Sequence, residues 1–328
     1  MMYFNTEIIK AKMNDAGGKK NPFLFGVDFE MKEGFFIADP LSQRDILFYV
    51  NGIGNFDGID FLQSINYNDY QFEIFPEELT EYKKRFNRVM SGLKRGESYL
   101  VNLTIETPLK TSLNLKEIFF HSNSDYRLLI PDKFVCFSPE CFVKITDGKI
   151  YTFPMKGTID ASVPDAETVI INDEKETTEH NTIVDLLRND ISRVAHRVQV
   201  NRFRYIDEIK TNRSKILQVS SEIEGTLSTK YISEIGDIIF NLLPAGSVSG
   251  APKESTLRLI RESESSCRGF YTGVAGYFDG ANLDSFVLIR FIEQNEEGLV
   301  FRSGGGITAG SELNKEYSEA VQKVYLPF

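Results

Sequence analysis

The spacing of apolar residues divides the chain into short strands, two hairpins and a handful of helices. Apolar runs bounded by turn residues predict strands at Phe23–Phe29, Gly34–Ala38, Ile46–Val50 and Tyr70–Phe75. Pro76 opens an amphipathic period that continues to about Lys94 and stops at Gly96, which predicts a long helix. Ser98–Ile105 then alternates as a strand. Asp147-Gly148 joins Cys141–Thr146 to Lys149–Phe153, and Asp279-Gly280 joins Phe270–Phe278 to Leu283–Glu293; both read as hairpins.

Helical spacing returns between the hairpins. Ile183, Leu187, Ile191 and Val194 fall at three- and four-residue steps and predict a helix over about 174–197. Further helices are expected over about 231–242, from Pro252 to about Glu264, and over about 312–325, the last following a loop at Gly304-Gly305-Gly306. Hairpins outnumber strand–helix–strand crossovers, so the expectation is an α+β chain with largely antiparallel sheets, not a doubly wound nucleotide fold. No Pro- or Ser-rich linker divides it. Residues 1–74 are read as a short β-rich portion packed on a main unit of 75–328.

Charge narrows the function classes. The 328 residues carry 47 acidic and 37 basic side chains, a formal net charge of −10. This argues against nucleic acid, which needs a surplus of Lys and Arg, and against an anionic membrane surface. A small anionic substrate would need a local cationic or metal-lined pocket. The three cysteines form no C-x-x-C pair, the first twenty residues lack the apolar centre of a signal peptide, and no run reaches membrane-span length; the cytoplasm is the expected location.

Several residues are candidates for chemistry, each with an ordinary alternative. Lys156 follows a strand entering Pro154 and precedes Gly157; a lysine nucleophile must be buried or set beside a cation to lose its proton, and the alternative is a solvated turn lysine. Glu176 and Glu179 sit three apart on one helix, and Glu316 and Glu319 repeat the spacing on another, with Lys323 beyond. Each pair projects from one face, and two such faces brought together would offer hard oxygen ligands to Mg²⁺; otherwise they are solvated acidic faces. Glu140 suits a general acid only if its surroundings raise its pKa. Gly304, Gly305 and Gly306 could present backbone N–H groups to a carboxylate, or simply form a turn. The loop 243–253 lacks P-loop spacing, and neither H-E-x-x-H nor G-x-S-x-G occurs.

The order of these blocks carries more than any one of them. Ser138-Pro139-Glu140, Pro154-Met155-Lys156-Gly157-Thr158, the run from Glu179 to Asp190, and Gly246–Lys253 follow one another. Tyr271–Tyr277, Ile289-Arg290, Gly304–Ile307 and Glu316-Tyr317-Ser318-Glu319 complete the series. Over roughly residues 75–328 this order resembles the chorismate-utilising enzymes. The family includes anthranilate, isochorismate, salicylate and aminodeoxychorismate synthases, and a lysine at position 156 resembles the aminodeoxychorismate branch.

The resemblance implies two antiparallel sheets packed face to face and flanked by helices, with the site in a cleft between them. It implies Mg²⁺ held by Glu179 and Glu319, with Glu176 and Glu316 beside them or bound through water. Lys156 would attack chorismate at ring carbon 2, Glu140 would protonate the departing 4-hydroxyl, and ammonia would then add at ring carbon 4. Tyr271, Arg290 and the backbone at Gly304–Gly306 would meet the enolpyruvyl carboxylate, with Thr158 and Lys323 also holding substrate. The cations are expected to help keep Lys156 neutral.

Two departures from the family pattern stand out. Leu217 falls where relatives often place a polar residue, and no Leu-Leu-Glu-Ser block like that of the tryptophan-regulated anthranilate synthases is present. No cysteine sits in a glutaminase nucleophile turn, so a separate glutamine amidotransferase is expected to supply ammonia, and a separate lyase to act on the product.

Overall fold

Phe23–Val27 is buried at every position, so both of its faces must be covered. Phe23, Phe25 and Val27 pack on Ile9, Met13 and Ala16 of the helix Thr6–Gly18. Leu24, on the opposite face, joins Phe48, Leu128, Phe134 and Phe286 in a core between two sheets. The period-two alternation of one strand thus fixes three layers. The computed structural model describes residues 3–56, 70–210 and 215–328.

Among the described residues, one sheet has ten strands and the other nine. The middle of the first runs Glu33–Ala38, Phe23–Val27, Val274–Phe278, Leu283–Val287, Cys141–Thr146, Lys149–Thr152, Lys215–Thr226 and Met155–Asp160. The middle of the second runs Leu100–Thr111, Gly298–Thr308, Phe291–Asn295, Phe134–Ser138, Tyr126–Ile130 and Leu47–Val50. The pairings are antiparallel. Helix Leu79–Lys94 packs on the second sheet beside Lys253–Ser263 and Leu313–Gln322, burying Tyr82, Phe86, Val89, Leu259 and Ala320. The expected α+β sandwich is the observed one.

Three local expectations are corrected. Helix Thr6–Gly18 was not anticipated: its buried stripe is sparse, Ile8 is exposed, and its start is set by Asn5, whose side chain accepts from Glu7 N at 2.9 Å. Gly304–Gly306 is not a loop but the interior of strand Gly298–Thr308, paired with Thr104, Leu103 and Asn102. The second hairpin is also shorter than expected. Leu283–Val287 closes it in the first sheet, and Phe291–Asn295 belongs to the second. Of the expected N-terminal portion, residues 1–2 and 57–69 lie outside the described residues. None of the described helices is long and apolar enough to cross a membrane.

Candidate active site

Twice the chain passes from one sheet to the other within a few residues. Ser138 ends a strand of the second sheet and Cys141 begins one of the first; Val287 ends a strand of the first and Phe291 begins one of the second. The two crossings are tied together, since Val287 N donates to Glu140 O at 3.1 Å and Phe137 N donates to Arg290 O at 3.0 Å. Glu140 and Arg290 therefore stand side by side at the seam of the sandwich. Arg290 holds φ at +51°, a conformation an L-residue adopts only when its surroundings hold it there.

A cavity of about 200 Å³ opens at this seam, lined by Glu140, Lys156, Glu179, Tyr271, Arg290, Gly304–Gly306 and Lys323. Lys156 reaches it from a β-bulge. Met155 pairs with Ser220 and Thr158 with Gln218, so one extra residue is accommodated between them. Gly157 takes it up at φ +86°, and a side chain there would come within 3.2 Å of Glu176 Oε2. The bulge turns Lys156 into the cavity while leaving the sheet intact on either side.

The cavity floor is the strand Gly298–Thr308. A Cβ on Gly305 would lie 3.8 Å from Glu319 Oε1, 3.8 Å from Lys323 Nζ and 3.9 Å from Glu316 Oε2, so the missing side chain leaves the backbone open beside that charged group. Lys323 Nζ donates to Gly304 O at 2.9 Å and pairs with Glu319 at 2.7 Å. Arg290 Nε donates to Tyr325 OH at 3.2 Å.

The electrostatics differ from the expectation at one point. Lys156 Nζ lies 2.8 Å from Glu179 Oε2. Burial alone would lower the lysine's pKa, but Glu179, Glu319 and Glu176 outweigh it and raise the value. The amine is held as an ammonium, not kept neutral, because carboxylates pair with it and surround it. Lys323 behaves in the opposite way: burial, with Arg290 and Lys156 nearby, lowers its pKa despite Glu319. Burial raises the Glu140 carboxyl, against the opposing pull of Ser247, Arg290 and Lys323. Burial also pushes the Tyr271 hydroxyl up to about 12, so it is a neutral donor.

The two acidic helix faces meet through a lysine. Lys175 Nζ lies 3.6 Å from Glu179 on Glu174–Ser192 and 3.8 Å from Glu316 on Leu313–Gln322. One ammonium thus bridges carboxylates from both helices. Glu316 is buried, and burial with Glu319 beside it raises its pKa. Burial raises Glu176 as well. Among the described residues, no three acidic, imidazole or thiol groups come close enough to form a ready coordination site.

Residues 69–327 match the sequence pattern of the family described as chorismate binding enzyme. The chain belongs to that family. PabA-like proteins of Pasteurella multocida and Haemophilus influenzae are 47% and 48% identical to it, covering 96% of this chain and 96% and 94% of theirs. Aminodeoxychorismate synthase component 1 of Bacillus subtilis is 30% identical over 259 residues, covering 74% of this chain and 54% of that one. Among solved structures, the menaquinone-specific isochorismate synthase MenF of Escherichia coli has the same fold, with a TM-score of 0.73 at 16% identity over 98% of this chain and 82% of that one.

In this chorismate-binding enzyme, most of the site residues expected from sequence gather at one cleft. Thr158, which is exposed, lies outside the cavity lining, as do Glu176, Glu316 and Glu319. Leu217 is buried in the sheet, paired with Ile159. Three neighbours of the site have no role in the expectation from sequence. Ser247 donates to Glu140 Oε1 from a Gly-Ser loop whose spacing is not that of a P-loop. Lys175 stands four residues before Glu179, a spacing that was legible on a helix. His180 is buried with Nε2 2.7 Å from Ser221 Oγ, and burial lowers its pKa to about 4, so it is neutral.

Proposed function

We propose that this chorismate-binding enzyme is an aminodeoxychorismate synthase component I, converting chorismate and ammonia to 4-amino-4-deoxychorismate for 4-aminobenzoate and folate synthesis. The observation that carries the reading is Lys156, turned by a bulge into the cleft that Glu140, Arg290 and Lys323 also line. In the proposed sequence Lys156 first gives up its proton to the paired Glu179 carboxylate, then forms a bond to ring carbon 2. The ring double bonds shift, the bond from carbon 4 to its hydroxyl breaks, and Glu140 supplies the proton with which that group leaves as water. Ammonia then adds at carbon 4, the double bonds return, and the lysine amine is expelled. A covalent amine splits one difficult displacement into two.

The substrate is a dianion, and the cations facing the cavity suit it. Arg290, the neutral Tyr271 hydroxyl and the backbone of Gly304–Gly306 line the cavity together, which supports the reading that they meet one carboxylate. Glu179 and Glu316 flank the Lys175 ammonium, and Glu176 and Glu319 stand on the same two helices; the four are not gathered into a ready site, but carboxylate oxygens are the donor chemistry that suits Mg²⁺. Bound there, Mg²⁺ would offset the charge of these glutamates and of the ring carboxylate. The carboxylate that keeps Lys156 charged, Glu179, belongs to that set. Ammonia is proposed to come from a separate glutamine amidotransferase.

The test is to incubate the purified protein with chorismate, Mg²⁺ and an ammonium salt and to separate the products. Aminodeoxychorismate is expected. The second reading is a sister reaction, supported by the anthranilate synthase component 1 of Aquifex aeolicus, 36% identical over 195 residues, which cover 57% of this chain and 38% of that one. Fluorescent anthranilate, or isochorismate with no added nitrogen, would establish it instead.

A further inference from the structure

Ser247 Oγ donates to Oε1 of Glu140, and both residues line the cleft. The serine belongs to a single helical turn, Gly246–Ser249, that is held from several directions. Arg268 Nη1 donates to Val248 O at 2.8 Å, and Ser249 Oγ donates to Ala245 O at 2.8 Å. Just beyond the turn, Lys253 Nζ donates to Leu242 O at 2.8 Å and pairs with Asp190 at 3.4 Å. Arg268 is itself almost wholly buried, gripped by Glu264 through Nε at 2.8 Å and Nη2 at 2.7 Å. Buried charges are costly unless paired and hydrogen-bonded, and these are spent on fixing one short turn behind the cleft.

We propose that Ser247 is a positioning residue for Glu140: it clamps Oε1 and so makes Oε2 the oxygen that carries the proton toward the departing hydroxyl. The inference rests on the reading of Glu140 as proton donor. A carboxyl group holds its acidic hydrogen on one oxygen, and the oxygen that accepts the serine hydroxyl is the carbonyl-like one. The charged and titratable groups facing Glu140 are Arg290 from the second crossing, Lys323 after helix Leu313–Gln322, and its neighbour Cys141. Two of these are cations that attract the carboxylate without directing either oxygen. The serine supplies the direction. Since a donor favours the ionised carboxylate, the clamp also keeps Glu140 from holding its proton too tightly to release it.

The experiment compares wild type with Ser247→Ala and Ser247→Thr, using Glu140→Gln to assign the Glu140 signal in side-chain ¹³C-glutamate spectra. Carboxyl titration and steady-state turnover with chorismate, Mg²⁺ and ammonium are both measured. Ser247→Ala is expected to move the Glu140 titration to higher pH and to lower kcat roughly tenfold, about the worth of one hydrogen bond. The KM for chorismate should stay within about threefold, and Ser247→Thr should restore both readouts. A Glu140 titration unchanged in Ser247→Ala overturns the clamp, and an unchanged kcat overturns its positioning role. Full turnover in Glu140→Gln would remove the proton-donor reading itself. The titration, which needs no chemistry, would still decide whether Ser247 holds the carboxyl.

Discussion

Lys156 Nζ and Glu179 Oε2 form an ion pair at 2.8 Å, joining the bulge in the first sheet to the helix Glu174–Ser192. The residue proposed to attack substrate is thus restrained by a carboxylate proposed to bind metal. Lys156→Ala is expected to lower amination by at least roughly 10³-fold, since loss of a nucleophile is among the largest single effects in an active site. The pair is partly open to solvent, so stability should fall by no more than about 1 kcal/mol. Product chromatography and urea unfolding of the same preparation separate the two effects.

Glu140 gives a pH prediction with a definite sign. Burial raises its carboxyl, and a general acid works only while protonated, so turnover should fall as pH rises through that raised value. Arg290 opposes the rise, so Arg290→Gln should carry the alkaline limb to higher pH while weakening chorismate binding. Stability follows the same sign. Ionising a group whose folded pKa is raised destabilises the fold, so Glu140→Gln should be as stable as wild type or more so above the raised value. That advantage should vanish below the ordinary carboxylate range. Melting curves across pH, beside rate profiles, check both.

The Arg268–Glu264 pair predicts a large stability effect away from the chemistry. Arg268 also donates to Val248 O and to Asn102 O at 2.7 Å, so Arg268→Met leaves Glu264 buried without its partner and two carbonyls without their donor. A loss of about 3–5 kcal/mol is expected from urea unfolding. Arg268→Met combined with Glu264→Gln should lose less than the sum of the separate changes.

Lys175 competes for the carboxylates proposed to hold Mg²⁺. Titration calorimetry should find tighter Mg²⁺ binding in Lys175→Gln, because the bridging ammonium is gone. Glu319→Gln and Glu316→Gln should bind it more weakly. A chelator should abolish turnover in wild type, and added Mg²⁺ should restore it.

Much of this arrangement was legible in the sequence because it depends on local signals. The Asp147-Gly148 turn and the apolar alternation around it mark the two strands that lead to Lys156, and Gly157 marks the irregularity that aims it. What was not legible depends on residues far apart in the chain. Gly304–Gly306 looked like a loop because three glycines carry no strand preference; pairing with Asn102–Thr104, some two hundred positions earlier, makes them a strand. Lys156 was expected to be neutral because nothing local says that Glu179, rather than Lys323, will be its nearest neighbour. The crossing at Arg290 was hidden inside an apolar run that seemed to continue a single strand.

The early strands have a consequence for anyone trimming this protein. The family pattern begins at residue 69, yet Phe23–Val27 is the hydrogen-bonded neighbour of Val274–Phe278, and Leu47–Val50 that of Tyr126–Ile130. A fragment cut at the start of the pattern would bare one flank of each sheet, and strip Ile9, Met13 and Phe48 from the two interiors they fill. Unpaired, apolar flanks of that kind recruit strands from other molecules, so such a fragment should precipitate.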